Sequence, residues 1–248
     1  MHQQRIRSGA SGPPTDQTDK EVHAMKVAII GAGNVGKALA SSLTRAGHEV
    51  VITSRDAADA ATVAAASGAS TAPTSAAAAA SADVIIPAVY APSLPEVAAE
   101  IADGAAGKPV VDVSNRISFG ASGPEIDTSS SNAEELARLL PKSSVVKAFN
   151  TLFASNQADP IAEGIQLDGY VAADDAKAKQ QVIDLVTSMG LRPVDVGPLV
   201  RARQLEGLAF LNMAINIEHE GAWQSGWKLV AAPETATPPA TAETESIR

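Results

Sequence analysis

Three glycines and one arginine define the chemistry open to this chain. Gly31-Ala32-Gly33-Asn34-Val35-Gly36 has the spacing G-x-G-x-x-G, which suits a dinucleotide pyrophosphate. The first glycine permits a tight turn, the second lets backbone approach the phosphates, and the third lets a helix pack closely on the preceding strand. The start of that helix turns free N–H groups and a partial positive charge toward the anion. Such a motif carries little weight alone in a chain with 18 glycines. Its context carries more: an apolar strand precedes it, an Ala/Leu-rich helix follows, and a second strand arrives about 20 residues later.

The end of that second strand selects the dinucleotide. Sites for NAD usually place an acid there to accept from the ribose 2′-hydroxyl. This chain has Thr53-Ser54-Arg55. A hydroxyl and a guanidinium bind a 2′-phosphate through charge-assisted hydrogen bonds, whereas an acid would repel it. NADP is therefore favoured over NAD. The alternative for Arg55 is a solvated surface arginine, and Asp56 next to it can cap a helix.

Other chemistries are poorly supplied. A net charge of −9 argues against nucleic acid as partner. With no cysteine, disulfides, thiolate metal sites and cysteine nucleophiles are excluded. Of the four histidines, His2 and His23 fall in the N-terminal stretch and His48 reads as a surface loop residue. His219, between Glu218 and Glu220, lacks a second histidine at ligand spacing, so no metal site is expected. No Ser/His/Asp set assembles, and Ser129-Ser130-Ser131 reads as a loop. No apolar run approaches the roughly 20 residues that span a bilayer, and the N-terminus lacks a signal-like apolar segment. A cytoplasmic location without membrane contact is the expectation.

The elements that must position these residues alternate between strand and helix. Apolar runs predict strands at Lys26–Ile30, Val50–Thr53, Asp83–Ile86, Pro109–Val113 and Val145–Phe149. Gly169–Ala172 and Pro193–Val196 are two further short strands. Helices are expected over Lys37–Ala46 (closed by Gly47), from Asp56 to about Ser67 (stopped by Gly68), and over Ser75–Ser81, Pro95–Ala102, Asn132–Leu140 and Asp174–Met189. A longer last helix is expected over about Ala202–Val230. This order predicts an α/β, Rossmann-like, doubly wound fold: a mostly parallel sheet with a C-terminal helical element. The expected division is a disordered tail 1–24 (Met25 being a candidate start), a nucleotide-binding domain 25–200, a helical element 201–231, and a Pro/Thr/Ala/Glu tail 232–248.

Two further segments are distinctive. Val145-Val146-Lys147-Ala148-Phe149-Asn150-Thr151-Leu152 and Gly190-Leu191-Arg192-Pro193-Val194-Asp195-Val196-Gly197-Pro198-Leu199 join the glycine loop and Thr-Ser-Arg. Together they resemble the F420H2:NADP oxidoreductase family over roughly residues 25–230. They are also similar to the cytoplasmic reductase domain of the STEAP metalloreductases, above all at Lys147-Ala148-Phe149-Asn150. The resemblance implies hydride exchange between NADP(H) and a deazaflavin, coenzyme F420. The cofactors carry that chemistry, so no catalytic side chain is named. Carried over by position, Ala32 to Val35 would meet the pyrophosphate, and Ser54 with Arg55 the 2′-phosphate. Val89, Ser114 and Asn115 would line the nicotinamide half. Ala148 and Asn150 would sit where the second cofactor stacks, with plain core as the alternative for Ala148.

The STEAP-like segment leaves the acceptor open between deazaflavin, FMN and FAD, so a flavin or ferric reductase is the alternative enzyme. A non-catalytic NADP-binding sensor is the alternative from another class. Trp223 and Trp227, four apart, are expected on one face of the last helix. There they would pack in the core or across a homodimer interface, as the resemblance suggests, or wall the deazaflavin pocket. Arg201 and Arg203 would either attract an anionic coenzyme tail or lie in a solvated turn.

Overall fold

The computed structural model describes residues 23–121 and 123–231. The expectations for 1–22 and 232–248 lie outside the described residues. The chain runs β1 (Lys26–Ile30), α1 (Asn34–Arg45), β2 (Glu49–Thr53), α2 (Ala57–Ser67), β3 (Ser70–Thr71), α3 (Ser75–Ser81) and β4 (Val84–Pro87). It continues through α4 (Leu94–Ile101), β5 (Pro109–Asp112), β6 (Ile117–Gly120), β7 (Gly123–Ile126), α5 (Asn132–Leu139), β8 (Ser144–Lys147) and α6 (Ala154–Ala158). Then come β9 (Ile161–Ala162), β10 (Ile165–Gln166), β11 (Asp168–Ala173), α7 (Ala176–Ser188), β12 (Arg192–Gly197) and α8 (Ala202–Glu218).

Eight strands form one sheet in the order β12-β11-β8-β5-β4-β1-β2-β3. The strand order reverses around β1. From β1 the chain first builds outward through β2 and β3, then returns to β4 on the other side of β1. Ile30 pairs in parallel with Thr53 on one flank and Pro87 on the other. Their carboxyl ends therefore open side by side at the switch point, where open α/β sheets bind ligands. The sheet is mostly parallel, as expected: β11 runs antiparallel to β8 and parallel to β12. Core residues cover both faces. Leu39, Leu43, Val63, Val182 and Leu185 pack on one, and Ala78, Val97, Ile101, Leu136 and Leu199 on the other.

Several local readings change. The first helix begins at Asn34, not Lys37, because the glycine loop is itself the entry to its first turn. Strand β8 stops at Lys147, not Phe149, since Phe149 adopts φ +61° and turns the chain away from the sheet. The pairs β6–β7 and β9–β10 form two hairpins absent from the sequence reading.

His48 is buried, not a surface loop residue. Its Nδ1 accepts from the Met25 N–H at 3.1 Å, so its Nε2–H donates to Ser188 Oγ at 2.9 Å. Burial lowers its pKa.

The last helix ends at Glu218, twelve residues before Val230. Beyond it Glu220 and Trp223 take positive φ, and side-chain hooks hold the non-helical chain. Trp223 N–H donates to Asn216 Oδ1 at 3.0 Å and Ser225 Oγ to Asn212 Oδ1 at 2.6 Å. Trp223 and Trp227 therefore share no helical face. Trp223 meets the Phe153 ring edge-on at 5.2 Å between centroids, while Trp227 Nε1 donates to the Leu208 carbonyl.

Candidate functional site

The glycine loop leaves β1 at the switch point and is shaped by contacts that only glycine tolerates. Gly31 has φ +118°, and a Cβ there would run into the Ala88 carbonyl oxygen beside Val89. Its N–H donates to the Thr53 carbonyl at 2.8 Å, tying the loop to the end of β2. A Cβ on Gly36 would collide with the Gly31 carbonyl oxygen. Gly33 differs. It is exposed, and nothing lies within 4 Å of the position its Cβ would take. As the N-cap of α1 it supplies no side-chain hydrogen bond, and the first turn of the helix holds no acid. The start of α1 thus has no side-chain cap, beside exposed Asn34, with Ala32 and Val35 half-buried.

At the end of β2, Ser54 is half-buried and Arg55 exposed. Asp56 is occupied elsewhere, accepting from the Ala58 N–H at 2.8 Å as the cap of α2. Among the described residues Arg55 has no ion-pair partner, unlike Arg116, Arg192 and Arg203. The sites expected from separate stretches of sequence therefore converge along one edge: Gly31–Gly36 after β1, Ser54 and Arg55 after β2, Val89 after β4, Ser114 and Asn115 after β5.

On the far side of this edge two asparagines clasp each other. Asn150 Nδ2 donates to Asn115 Oδ1 at 2.9 Å, and Asn115 Nδ2 donates to the Asn150 carbonyl at 3.2 Å. Asn150 Oδ1 is buried and takes no donor from the protein. Ala148 is wholly buried in the core.

Sequence reasoning missed the group beneath these loops. Lys147, with no exposed surface, donates to Asp112 Oδ2 at 2.7 Å, Glu206 Oε1 at 2.7 Å and the Ser114 carbonyl at 2.5 Å. Asp112 Oδ1 accepts from both the N–H and the hydroxyl of Ser114. Glu206, reaching across from α8, also takes the backbone N–H groups of Asn132 and Arg116. Burial pushes the Glu206 carboxyl above its ordinary pKa, and the Lys147 charge opposes that rise. One signal was present in the sequence. Val-Val-Asp and Val-Val-Lys each put a charge at the same point of an apolar strand, and Asp112 pairs in register with Lys147.

A second ionic group lies outside the expected site. Asp168 takes two hydrogen bonds from Arg192, at 2.7 and 2.6 Å, one from Lys228 at 2.9 Å and one from the Leu229 N–H at 2.7 Å. Burial alone would raise its pKa, but these donors outweigh burial and lower it. Burial and the neighbouring Asp168 charge push the Tyr170 hydroxyl up to about 12. This cluster anchors the segment after α8 to the sheet.

Arg203 is tied to Glu134 at 2.8 and 2.6 Å, so it is not a solvated turn residue, whereas Arg201 is exposed. A cleft of about 690 Å³ between the β9–β10 hairpin and the end of α8 contains none of the expected site residues. Among the described residues no three His, Asp or Glu side chains gather as a metal site. No described helix is long and apolar enough to cross a membrane.

Known proteins resemble this chain in sequence and in fold. The model of the family described as NADP oxidoreductase, coenzyme F420-dependent, matches residues 26–116. The F420-dependent NADP reductase of Methanothermobacter thermautotrophicus is 31% identical over 230 residues, covering 86% of this chain and 98% of that one. A solved structure of a candidate F420-dependent NADP reductase from Arthrobacter sp. FB24 superposes with a TM-score of 0.74 at 29% identity, covering 81% of this chain and 97% of that one. Metalloreductase STEAP3 of Rattus norvegicus is 34% identical over 186 residues, 75% of this chain. This chain spans only 36% of that metalloreductase's length. The near end-to-end match with the Methanothermobacter reductase makes this chain, an NADP-dependent oxidoreductase, a member of the coenzyme F420-dependent NADP oxidoreductase family.

Proposed function

We propose that this protein binds NADP(H) along the carboxyl edge of β2, β1, β4 and β5 and exchanges hydride with a deazaflavin, coenzyme F420. The observation that carries this reading is the bare start of α1: no side-chain cap, no acid in the first turn, and open space over Gly33. Backbone N–H groups so presented suit a pyrophosphate. Arg55, free of carboxylate partners among the described residues, and Ser54 suit a 2′-phosphate. Val89, Ser114 and Asn115 would border the nicotinamide half, with Asn150 at the face of the acceptor and Ala148 behind it. Bound NADPH supplies the hydride from nicotinamide C4, and the protein's part is to align the two rings and exclude water.

An acceptor panel tests this reading. Deazaflavin, FMN, FAD and ferric chelates are each offered NADPH or NADH, and turnover should be fastest with NADPH and deazaflavin. Faster reduction of FMN, FAD or a ferric chelate would replace the deazaflavin reading with that of a flavin or ferric reductase. Similarity to the metalloreductase over 75% of this chain is the observation favouring that alternative.

The region 201–231 is proposed as a dimerisation element. Leu211 and Ile215, four apart on α8, are each more than two-fifths exposed, and such an apolar pair is stabilised by a second copy. Sedimentation velocity should show a dimer, and a monomer at micromolar concentration would remove this part of the proposal. A cytoplasmic location is part of the same reading.

A further inference from the structure

The Lys147 cluster holds an imbalance of charge that its hydrogen bonds define. Every oxygen of Asp112 and Glu206 is occupied by donors: Lys147, the N–H and hydroxyl of Ser114, and the N–H groups of Asn132 and Arg116. The Ser114 hydroxyl is committed as a donor to Asp112, because Asn132 Nδ2 donates to its oxygen at 2.9 Å. Every carboxylate oxygen already accepts, so these hydrogen bonds favour the carboxylate form and oppose the burial that raises the Glu206 pKa. Two buried carboxylates thus face a single ammonium. The nearest guanidinium groups do not redress this, since Arg116 is paired with Glu135 and Asp127, and Arg203 with Glu134. The members have at most 1% side-chain exposure, so solvent screens the surplus weakly.

The placement of this surplus gives it a use. It lies under Ser114 and Asn115, the loop that leaves β5, and its ties to the Ser114 carbonyl and the Arg116 N–H hold both ends of that loop. We infer that Lys147, Asp112 and Glu206 form a positioning and electrostatic cluster for the nicotinamide, whose surplus negative charge favours the cationic oxidised ring over the neutral reduced ring. This rests on the proposed NADP(H) site. When hydride leaves C4 with both bonding electrons, the ring becomes a pyridinium. The deazaflavin takes that hydride together with one proton from solvent. Stabilising the pyridinium makes bound NADPH the stronger donor and biases transfer toward the acceptor.

The test is the ratio of two dissociation constants, measured by calorimetry without any acceptor. Glu206→Gln removes one charge and keeps the side-chain shape. At an effective dielectric of about 20 and a path of roughly 10 Å, the Kd ratio of NADP+ to NADPH should rise on the order of tenfold. A tenfold rise corresponds to about 30 mV in the two-electron potential of the bound couple. Asp112→Asn should shift the ratio in the same direction, which keeps the test open if Glu206→Gln fails to fold by thermal melting. A ratio unchanged in a folded variant, including parallel weakening of both forms, would mean a purely structural cluster and overturn the inference. Absence of NADP(H) binding in the wild-type protein would instead overturn the proposed site.

Discussion

Helices α1 and α2 meet the same physical problem and answer it in opposite ways. Each follows a parallel strand, and each begins with N–H groups that have no partner within the helix. In α2 the Asp56 carboxylate takes the Ala58 N–H, and Asp59 adds negative charge to the first turn. Helices α3, α5 and α7 are likewise capped, by Thr74, Ser131 and Asp175. In α1 the cap is Gly33, with neither side chain nor acid. The five-residue α6 lacks a side-chain cap too, as do α4 and α8, each entered through a 3-10 turn. Only α1 among these combines the missing cap with two glycines locked by backbone contact and a third facing open space. The starts of α2, α3, α5 and α7 are thus satisfied internally by a side chain. At α1 those donors have no side-chain cap, and the cost to the free protein is a less stable helix end.

Substitutions that exchange the two helix starts should break this contrast. The largest effect is expected from Gly33→Asp. The backbone there is extended, at φ −73° and ψ −171°, and accepts an aspartate without strain. The new carboxylate should cap α1 and hold or raise the melting temperature. It should also repel the pyrophosphate and weaken NADPH binding on the order of a hundredfold, read by fluorescence titration. Arg55→Ala comes next. A charge-assisted contact is worth about 1.5–3 kcal/mol, so NADPH affinity should fall by about tenfold or more while NADH affinity holds. Equal losses for both cofactors would mean that Arg55 does not read the 2′-phosphate. Asp56→Ala is the smallest. Loss of the α2 cap should cost about 1 kcal/mol in denaturant unfolding and leave the preference between NADPH and NADH unchanged.

The sequence made the packed half of the molecule legible and hid the parts built by distant contacts. Runs such as Lys26–Ile30 read as strands because buried parallel strands are apolar on both faces. Asp56 and Gly68 marked both ends of α2, since capping is local chemistry. The end of α8 was not legible. Trp223 and Trp227 keep helical spacing, and only the hooks from Asn212 and Asn216, together with positive φ at Glu220 and Trp223, take them off the helix. His48 looked like a loop residue because its partners, Met25 and Ser188, are 23 and 140 residues away. Lys147 was quoted for its resemblance, yet its role depends on Glu206, 59 residues on. The proposed binding edge was readable from motifs, while the charge beneath it needed the fold.

The central claim is hydride transfer from NADPH to a deazaflavin at the edge that starts with α1. The most direct measurement follows the hydrogen itself. The protein is mixed anaerobically with oxidised deazaflavin and NADPH deuterated at both C4 positions, and the reduced product is examined by mass spectrometry. One deuterium bound to carbon in each reduced deazaflavin, with one NADPH consumed per product, is the predicted result. Unreduced deazaflavin, or reduction without deuterium on carbon, would contradict the account.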